Sequence, residues 1–133
     1  MEKYYKVKTV KSGDGIMVYG GEIHGVDFLE KSLILAILFA PVDGDLPEEN
    51  VTQIMETEDG KKINTQGIYS DSTIKILKVN SPAKAIMPKH SHPGKEWLHV
   101  LKGKFKIKYY RGNDILVLTL MILLTIFKLN GGF

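Results

Sequence analysis

The chain contains no cysteine, and this absence excludes several kinds of site and fold. Thiolate metal centres, cysteine nucleophiles and a disulfide framework all require that residue. Absence of cysteine is also compatible with a reducing compartment. The opening segment Met-Glu-Lys-Tyr-Tyr-Lys is charged and lacks the apolar stretch of a secretory signal. We therefore expect a cytoplasmic protein.

Acidic residues are scarce in the second part of the chain. Residues 1–80 hold nine Lys and Arg against thirteen Asp and Glu, whereas residues 81–133 hold nine against two. A basic region attracts anionic molecules. Its lysines are not accompanied by the arginine-rich or aromatic-interleaved pattern that is typical of nucleic-acid-binding surfaces. A solvated basic face is the favoured interpretation of these lysines. As a partner we expect a small anionic molecule, and neither nucleic acid nor a membrane.

The N-terminal region predicts a β-hairpin. Residues Tyr4–Val10 are rich in β-branched and aromatic side chains and alternate in polarity. The turn-forming segment Ser12–Gly15 then interrupts the pattern before Ile16–Tyr19. Two short strands with a four-residue connection between them are typical of a hairpin.

The next segment fits a helix or a strand. Asp27 can cap a helix, and Glu30 stands at the capping-box spacing ahead of the apolar run Leu33–Ala40. The run is also long enough for a buried strand, and periodicity does not distinguish the two. Pro41 ends the element in either case. The sequence therefore leaves both alternatives open.

Later segments predict strands. Residues 72–79 alternate between polar and apolar, and so does Lys104–Tyr109, where the lysines face water and Phe105, Ile107 and Tyr109 face inward. Together with Gly and Pro between the short strands, these patterns predict a mainly β fold. A chain of 133 residues fits one domain. The acidic connector 41–50 is the main hint that residues 1–65 form a separate unit.

Three of the four histidines lie between residues 90 and 99. In an extended segment His90 and His92 project from the same face and can bind one metal ion, and Glu96 can join them after a Pro-Gly turn. If Glu96 points inward, His99 faces outward with Trp97. We expect the remaining histidine, His24, to be a loop or strand-end residue rather than a ligand.

The spacing His-x-His-x3-Glu-x6-Gly, formed by His90, His92, Glu96 and Gly103, resembles the first conserved motif of the cupin superfamily. The family pattern also has a glycine six residues before the first histidine, where this chain has Lys84. The resemblance implies a double-stranded β-helix, or jelly roll. In cupins the two histidines and the glutamate bind a divalent transition metal, and here the chemistry suits iron, manganese, zinc, nickel or copper.

A second cupin motif, with a proline, a glycine and a further metal-binding histidine, would lie downstream. No histidine follows His99 in this chain, and residues 104–133 contain no proline. The resemblance therefore implies an incomplete jelly roll, with residues 66–114 as a cupin-like core and residues 1–65 adding the hairpin and the possible helix.

Three functions follow from the resemblance. The first is a metal-binding module or sensor for a small anionic or oxygen-rich molecule, with the metal held by His90, His92 and Glu96. The second is a metal-dependent cupin enzyme, such as an oxygenase, isomerase or epimerase, for which we assign no catalytic residue. The third is a structural remnant that binds no ligand. The missing second motif favours the first and third, because catalysis needs a closed cavity.

The last segment, residues 115–133, begins with an uncharged run of thirteen residues, Ile115–Phe127. This run is shorter than the roughly 20 residues of a membrane-spanning helix. A buried strand or helix is one interpretation, and loss of the reading frame shortly after Asp114 is another. In the second case the apolar end must be buried, and we then expect a homo-oligomer.

Overall fold

The computed structural model describes residues 4–39 and 46–111, which form ten β-strands and no helix. In chain order the strands are β1 Tyr4–Lys11, β2 Gly15–Val18, β3 Ile23–Phe28, β4 Ser32–Phe39, β5 Thr52–Glu56, β6 Lys62–Ser70, β7 Ile74–Ser81, β8 Ile86–His90, β9 Glu96–Lys102 and β10 Lys104–Tyr110. The prediction of a mainly β protein is confirmed.

The strands form two antiparallel sheets. One has four strands in the order β1-β10-β3-β8, and the other has six in the order β2-β9-β4-β7-β6-β5. The buried apolar side chains of both sheets belong to one core cluster. Phe105, Ile107 and Tyr109 are among its members, as the alternation of β10 predicts. This arrangement is compatible with a β-sandwich.

The predicted N-terminal hairpin is wrong in its pairing, although both of its strands exist. β1 pairs with β10 in the four-stranded sheet, from Tyr4 opposite Tyr110 to Lys11 opposite Lys104. β2 pairs with β9 in the other sheet. The turn signal between the two strands is real, because Gly13 has a φ of +88°, but it carries the chain from one sheet to the other.

The segment that fitted either a helix or a strand is a strand. In β4 the residues at every second position are buried, including Ile34, Ala36 and Leu38, and the residues between them are half-buried. Both faces are therefore apolar, which explains why the sequence shows no alternation. Asp27 caps no helix, since it lies in β3 and its carboxylate forms an ion pair with Lys108 at 2.7 Å.

The first four strands pair only with strands from the end of the described chain. In the described part, β1 pairs with β10, and β3 pairs with both β10 and β8. In the other sheet, β2 pairs with β9, and β4 pairs with both β9 and β7. No two of the first four strands pair with each other. Residues far apart in the sequence are therefore brought side by side, and the histidines are the main example.

Two predicted segments lie outside the described residues. These are the apolar segment 115–133 and residues 41–45 of the connector 41–50. Within the ranges 4–39 and 46–111, no helix is long and apolar enough to cross a membrane.

Candidate metal centre

Three histidines meet at the end of the four-stranded sheet. His90 is the last residue of β8, and His92 follows it in the connection to β9. His24 lies in the neighbouring strand β3, where it stands directly opposite His90 in the strand register. The ring centroid of His24 lies 4.4 Å from that of His90 and 5.1 Å from that of His92. The pairing of β3 with β8 and the connection that follows β8 thus bring the three imidazoles together.

Each of these rings is oriented by its own backbone. The Nδ1 atom of His24 lies 2.9 Å from the carbonyl oxygen of Glu22, that of His90 lies 2.9 Å from the Pro88 oxygen, and that of His92 lies 2.8 Å from the Gly94 oxygen. A carbonyl oxygen only accepts hydrogen bonds, so Nδ1 must carry the proton in each ring. The neutral ring then presents an unprotonated Nε2 atom, and this is the usual arrangement of metal-bound histidine.

The potential ligand atoms of the three histidines converge. One ring nitrogen from each of them lies within 4.8 Å of the others. Nε2 of His92 is buried and makes no well-aligned hydrogen bond among the described residues, although the Glu96 carboxylate lies 3.3 Å from it. Burying a polar atom without a partner is costly, and an ion at this point would satisfy it. The residues present therefore fit a metal ion.

Glu96, at the start of β9, stands beside the cluster. Its Oε1 atom lies 3.3 Å from Nε2 of His92, which is within ion-pair distance. Two ligand atoms that are each about 2.1 Å from one ion lie about 3.0–3.4 Å apart at octahedral or tetrahedral angles. This spacing to His92 suits a neighbouring ligand of the same ion, but Glu96 is not one of the three side chains whose ligand atoms converge.

The surroundings shift the pKa values of two of these histidines in opposite directions. Burial lowers the pKa of His24, whose side chain is almost fully enclosed, because the charged imidazolium is poorly solvated there. The Glu96 carboxylate raises the pKa of His92, against the opposing effect of partial burial. His24 is thus neutral near pH 7 and available as a ligand, whereas a metal at His92 competes with a proton.

The cluster opens into a cavity of about 560 Å³ between the two sheets. His24, His90, His92 and Glu96 all line it, and Glu96 contributes the only carboxylate among the described lining residues. Most of the other lining side chains are aliphatic or aromatic. A volume in the range of about 300–1,000 Å³ is typical of small-molecule sites.

The predicted positions of the outward-facing residues are confirmed. His99 and Trp97 do not line this cavity, and their rings stack on each other with centroids 6.5 Å apart. Trp97 packs against the backbone of Gly15 in β2, where any side chain at residue 15 would collide with the indole. The N-terminal strand β2 therefore covers Trp97.

The sequence prediction did not include His24, although a signal for it exists. His24, Val26 and Phe28 occupy alternate positions of β3 and are all buried, while Asp27 points the other way. Alternation of this kind places His24 on the core-facing side of a strand. The signal is short, and interpreting Asp27 as a helix cap concealed it.

Two residues flanking the histidines adopt left-handed backbone conformations. Lys84 has a φ of +68° and Gly103 a φ of +93°. Residues with a side chain rarely adopt positive φ, and glycine adopts it freely. At residue 103 an added Cβ would also come closer than 3.0 Å to the Oγ atom of Ser32 and the carbonyl oxygen of Lys31.

Comparisons with known protein families, with curated proteins and with solved structures gave no significant match for this chain.

Proposed function

We propose that this protein holds a divalent transition metal with His24, His90 and His92, assisted by Glu96, and that the metal binds a small anionic or oxygen-rich molecule in the adjoining cavity. One observation carries the proposal. All three imidazoles are fixed through Nδ1 by backbone carbonyl groups, and one ring nitrogen of each lies within 4.8 Å of the others. Imidazole and carboxylate ligands suit zinc, copper, iron, nickel and manganese.

The resemblance to cupins supports the same site. His90 and His92 lie at the end of one strand, and Glu96 begins the next. The two positions where the family pattern has glycine, residues 84 and 103, both have positive φ. The proposed fold is accordingly a cupin-like jelly roll.

In this proposal the strands that precede the histidine stretch complete the jelly roll. His24 takes the place of the histidine of the second motif. The missing ligand is then supplied from upstream in the sequence instead of downstream.

The charge of the site agrees with an anionic ligand. A doubly charged ion with three neutral imidazoles and one carboxylate has a net charge of about +1. A metal held by these residues would act as a Lewis acid toward an oxygen atom of the ligand. The protein residues orient the ligand and exclude water. A cytoplasmic location and homo-oligomerisation stay predictions, the second because it depends on residues 115–133.

Metal binding can be measured by isothermal titration of the chelator-treated protein with zinc and nickel, with metal content determined by elemental analysis. We expect one ion per chain. The H24A and H90A variants should have a much lower metal affinity than the wild type. Removing a group that only hydrogen-bonds to a ligand typically lowers metal affinity by roughly 10-fold to 100-fold, and removing a ligand itself should lower it well beyond that. The H99A variant is the matched control, because His99 lies outside the cavity and should bind metal normally. Absence of stoichiometric metal from the folded wild type would leave the structural remnant as the remaining interpretation.

A metal-dependent enzyme is the second candidate function, and the cavity favours it. The missing second motif argued against catalysis because it implied an open site. The histidines instead adjoin a cavity with largely apolar walls, in which Glu96 is the only described carboxylate. A site of this kind can exclude water from a bound substrate. This function can be tested by measuring the turnover of candidate substrates by the metal-loaded protein, with E96Q as the comparison.

A further inference from the structure

The cavity beside the histidines has two chemically different ends. The four metal-binding candidates and Ser91 form the polar end. The remainder is built from apolar side chains of both sheets, among them Phe28, Ile34, Ala36, Leu77, Val79 and Phe105. These apolar side chains are buried, with between 0% and 8% of their surface exposed. A ligand that fills the cavity must therefore have a polar head and an apolar body.

The apolar end offers few hydrogen bonds. Away from the histidines, Thr65 is the only described lining side chain that carries a hydrogen-bonding group. Backbone groups of the paired strands are already engaged in the sheet ladders. A sugar or another polyhydroxylated molecule would lose water from several hydroxyl groups without gaining partners for them, and this lowers its affinity.

The charge of the cavity limits the head group. No lysine or arginine is among the described lining residues, so a phosphate or a second carboxylate on the body of the ligand would have no cation beside it. The only positive centre is the metal site that we propose, with its net charge of about +1. One negative charge neutralises that centre. The head group therefore carries a single charge and lies at the histidine end.

We infer that the ligand is an apolar monocarboxylate, whose carboxylate binds the metal held by His24, His90 and His92 and whose hydrocarbon body occupies the apolar end. This inference rests on the proposed metal-binding function and narrows its ligand to one chemical class.

A series of straight-chain carboxylates tests the inference. The zinc-loaded full-length protein would be titrated with acetate, butyrate, hexanoate and octanoate by isothermal calorimetry. Each methylene group that enters the apolar end should raise the affinity about fourfold until the cavity is full. Gluconate, which has the same six-carbon chain as hexanoate but carries hydroxyl groups, should bind no better than acetate. Equal affinities along the series, or gluconate binding more tightly than hexanoate, would overturn the inference.

A variant in the apolar end provides the matched comparison. Ala36 is buried in β4 and lines the cavity; it stands opposite Leu98 in the β4–β9 pair, two residues along β4 from Leu38, which is the partner of Glu96. The A36L variant should take up space in the cavity and reduce the affinity for octanoate at least tenfold, while acetate and zinc bind as in the wild type. If A36L does not fold, the smaller A36V change should give a lesser effect in the same direction. Unchanged octanoate binding in a folded variant would contradict the inference.

The two proposals can fail separately. If the wild type binds zinc but shows no preference for longer carboxylates, the ligand class is wrong and the metal site stands. If it binds no metal, the proposed function fails, and this inference fails with it. The calorimetric readout requires no catalytic activity.

Discussion

His24 and His90 are cross-strand partners in the β3–β8 pair, and their ring centroids lie 4.4 Å apart. His24 belongs to the first four strands, which pair only with later strands of the described chain, and His90 belongs to one of those later strands. An ion bound to both rings would join the two parts of the fold directly. Metal binding should therefore contribute to the stability of the whole protein, because the unfolded chain does not bring the two histidines together.

We predict that zinc raises the midpoint of thermal unfolding of the wild type. At a free zinc concentration about 100 times the dissociation constant, the added stability is about 2.7 kcal/mol. For a domain of this size, this corresponds to an increase of roughly 8–15 °C. Differential scanning calorimetry with and without zinc measures the increase.

Two variants identify the origin of that stabilisation. H24A should lose most of the zinc-dependent increase, because the bridge to β3 is gone. H99A should keep it, because His99 stacks on Trp97 outside the cavity. An undiminished increase in H24A would show that zinc stabilises the protein through other groups.

The sequence indicated strands most reliably where one face meets water. In β10, Lys104, Lys106 and Lys108 alternate with the buried Phe105 and Ile107, and this strand was predicted nearly to its ends. In β4 both faces are apolar, so the pattern carries no period of two and a helix fitted equally well. The difference lies in how much of each strand is covered by the rest of the molecule.

Pairing between strands was the part that local sequence could not predict. The turn after β1 looked like a hairpin turn, but the partner of β1 is β10, at the far end of the described chain. Partner choice depends on which faces are buried together, and that is a property of the assembled sheets. The position of His24 beside His90 depends on the same long-range pairing, so the sequence indicated His90, His92 and Glu96 but not His24.

Gly103 offers a test of the tight connection between β9 and β10. We expect G103A to lower the free energy of unfolding by about 2–5 kcal/mol, because alanine is strained at positive φ and its Cβ would collide with Ser32 and Lys31. Gly60 is the matched control. Its φ is +84°, but an added Cβ would have no atom within 4 Å, so G60A should cost only about 1 kcal/mol. Urea unfolding measures both, and equal effects would argue against the collision.

Asp71 should make stability depend on pH in the acid range. Its carboxylate accepts hydrogen bonds from the Tyr69 hydroxyl and from the backbone N–H groups of Thr73 and Ile74, which close the turn between β6 and β7. These hydrogen bonds, that of Tyr69 first, lower the pKa of Asp71 to about 2. A lowered carboxyl pKa means that the stabilisation is complete above the unfolded-state pKa and is lost as the pH falls through the folded-state pKa.

The D71N variant isolates this effect. The difference in free energy of unfolding between the wild type and D71N should be constant above about pH 5 and should shrink as the pH falls below 3.8 toward 2. Asp59 also has a pKa lowered to about 2, but it is present in both proteins and its contribution cancels. Urea unfolding at a series of pH values measures the difference. A difference that stays constant down to the lowest pH at which both proteins fold would contradict the assignment.

Lys84 should be a site where glycine stabilises the protein. Its φ of +68° costs a residue with a side chain about 1–2 kcal/mol, whereas glycine is free of that strain. Glycine also loses more backbone entropy on folding, by about 0.5–1 kcal/mol, so the K84G variant should gain roughly 0.5–1 kcal/mol in net stability. The K84A variant separates the effect of backbone strain from the effect of the lysine charge, because it removes the ammonium group and keeps the Cβ atom. Chemical unfolding should show a gain for K84G and none for K84A. Equal stabilities for the two variants would mean that residue 84 is unstrained, and that the glycine of the cupin pattern has no conformational counterpart at this position.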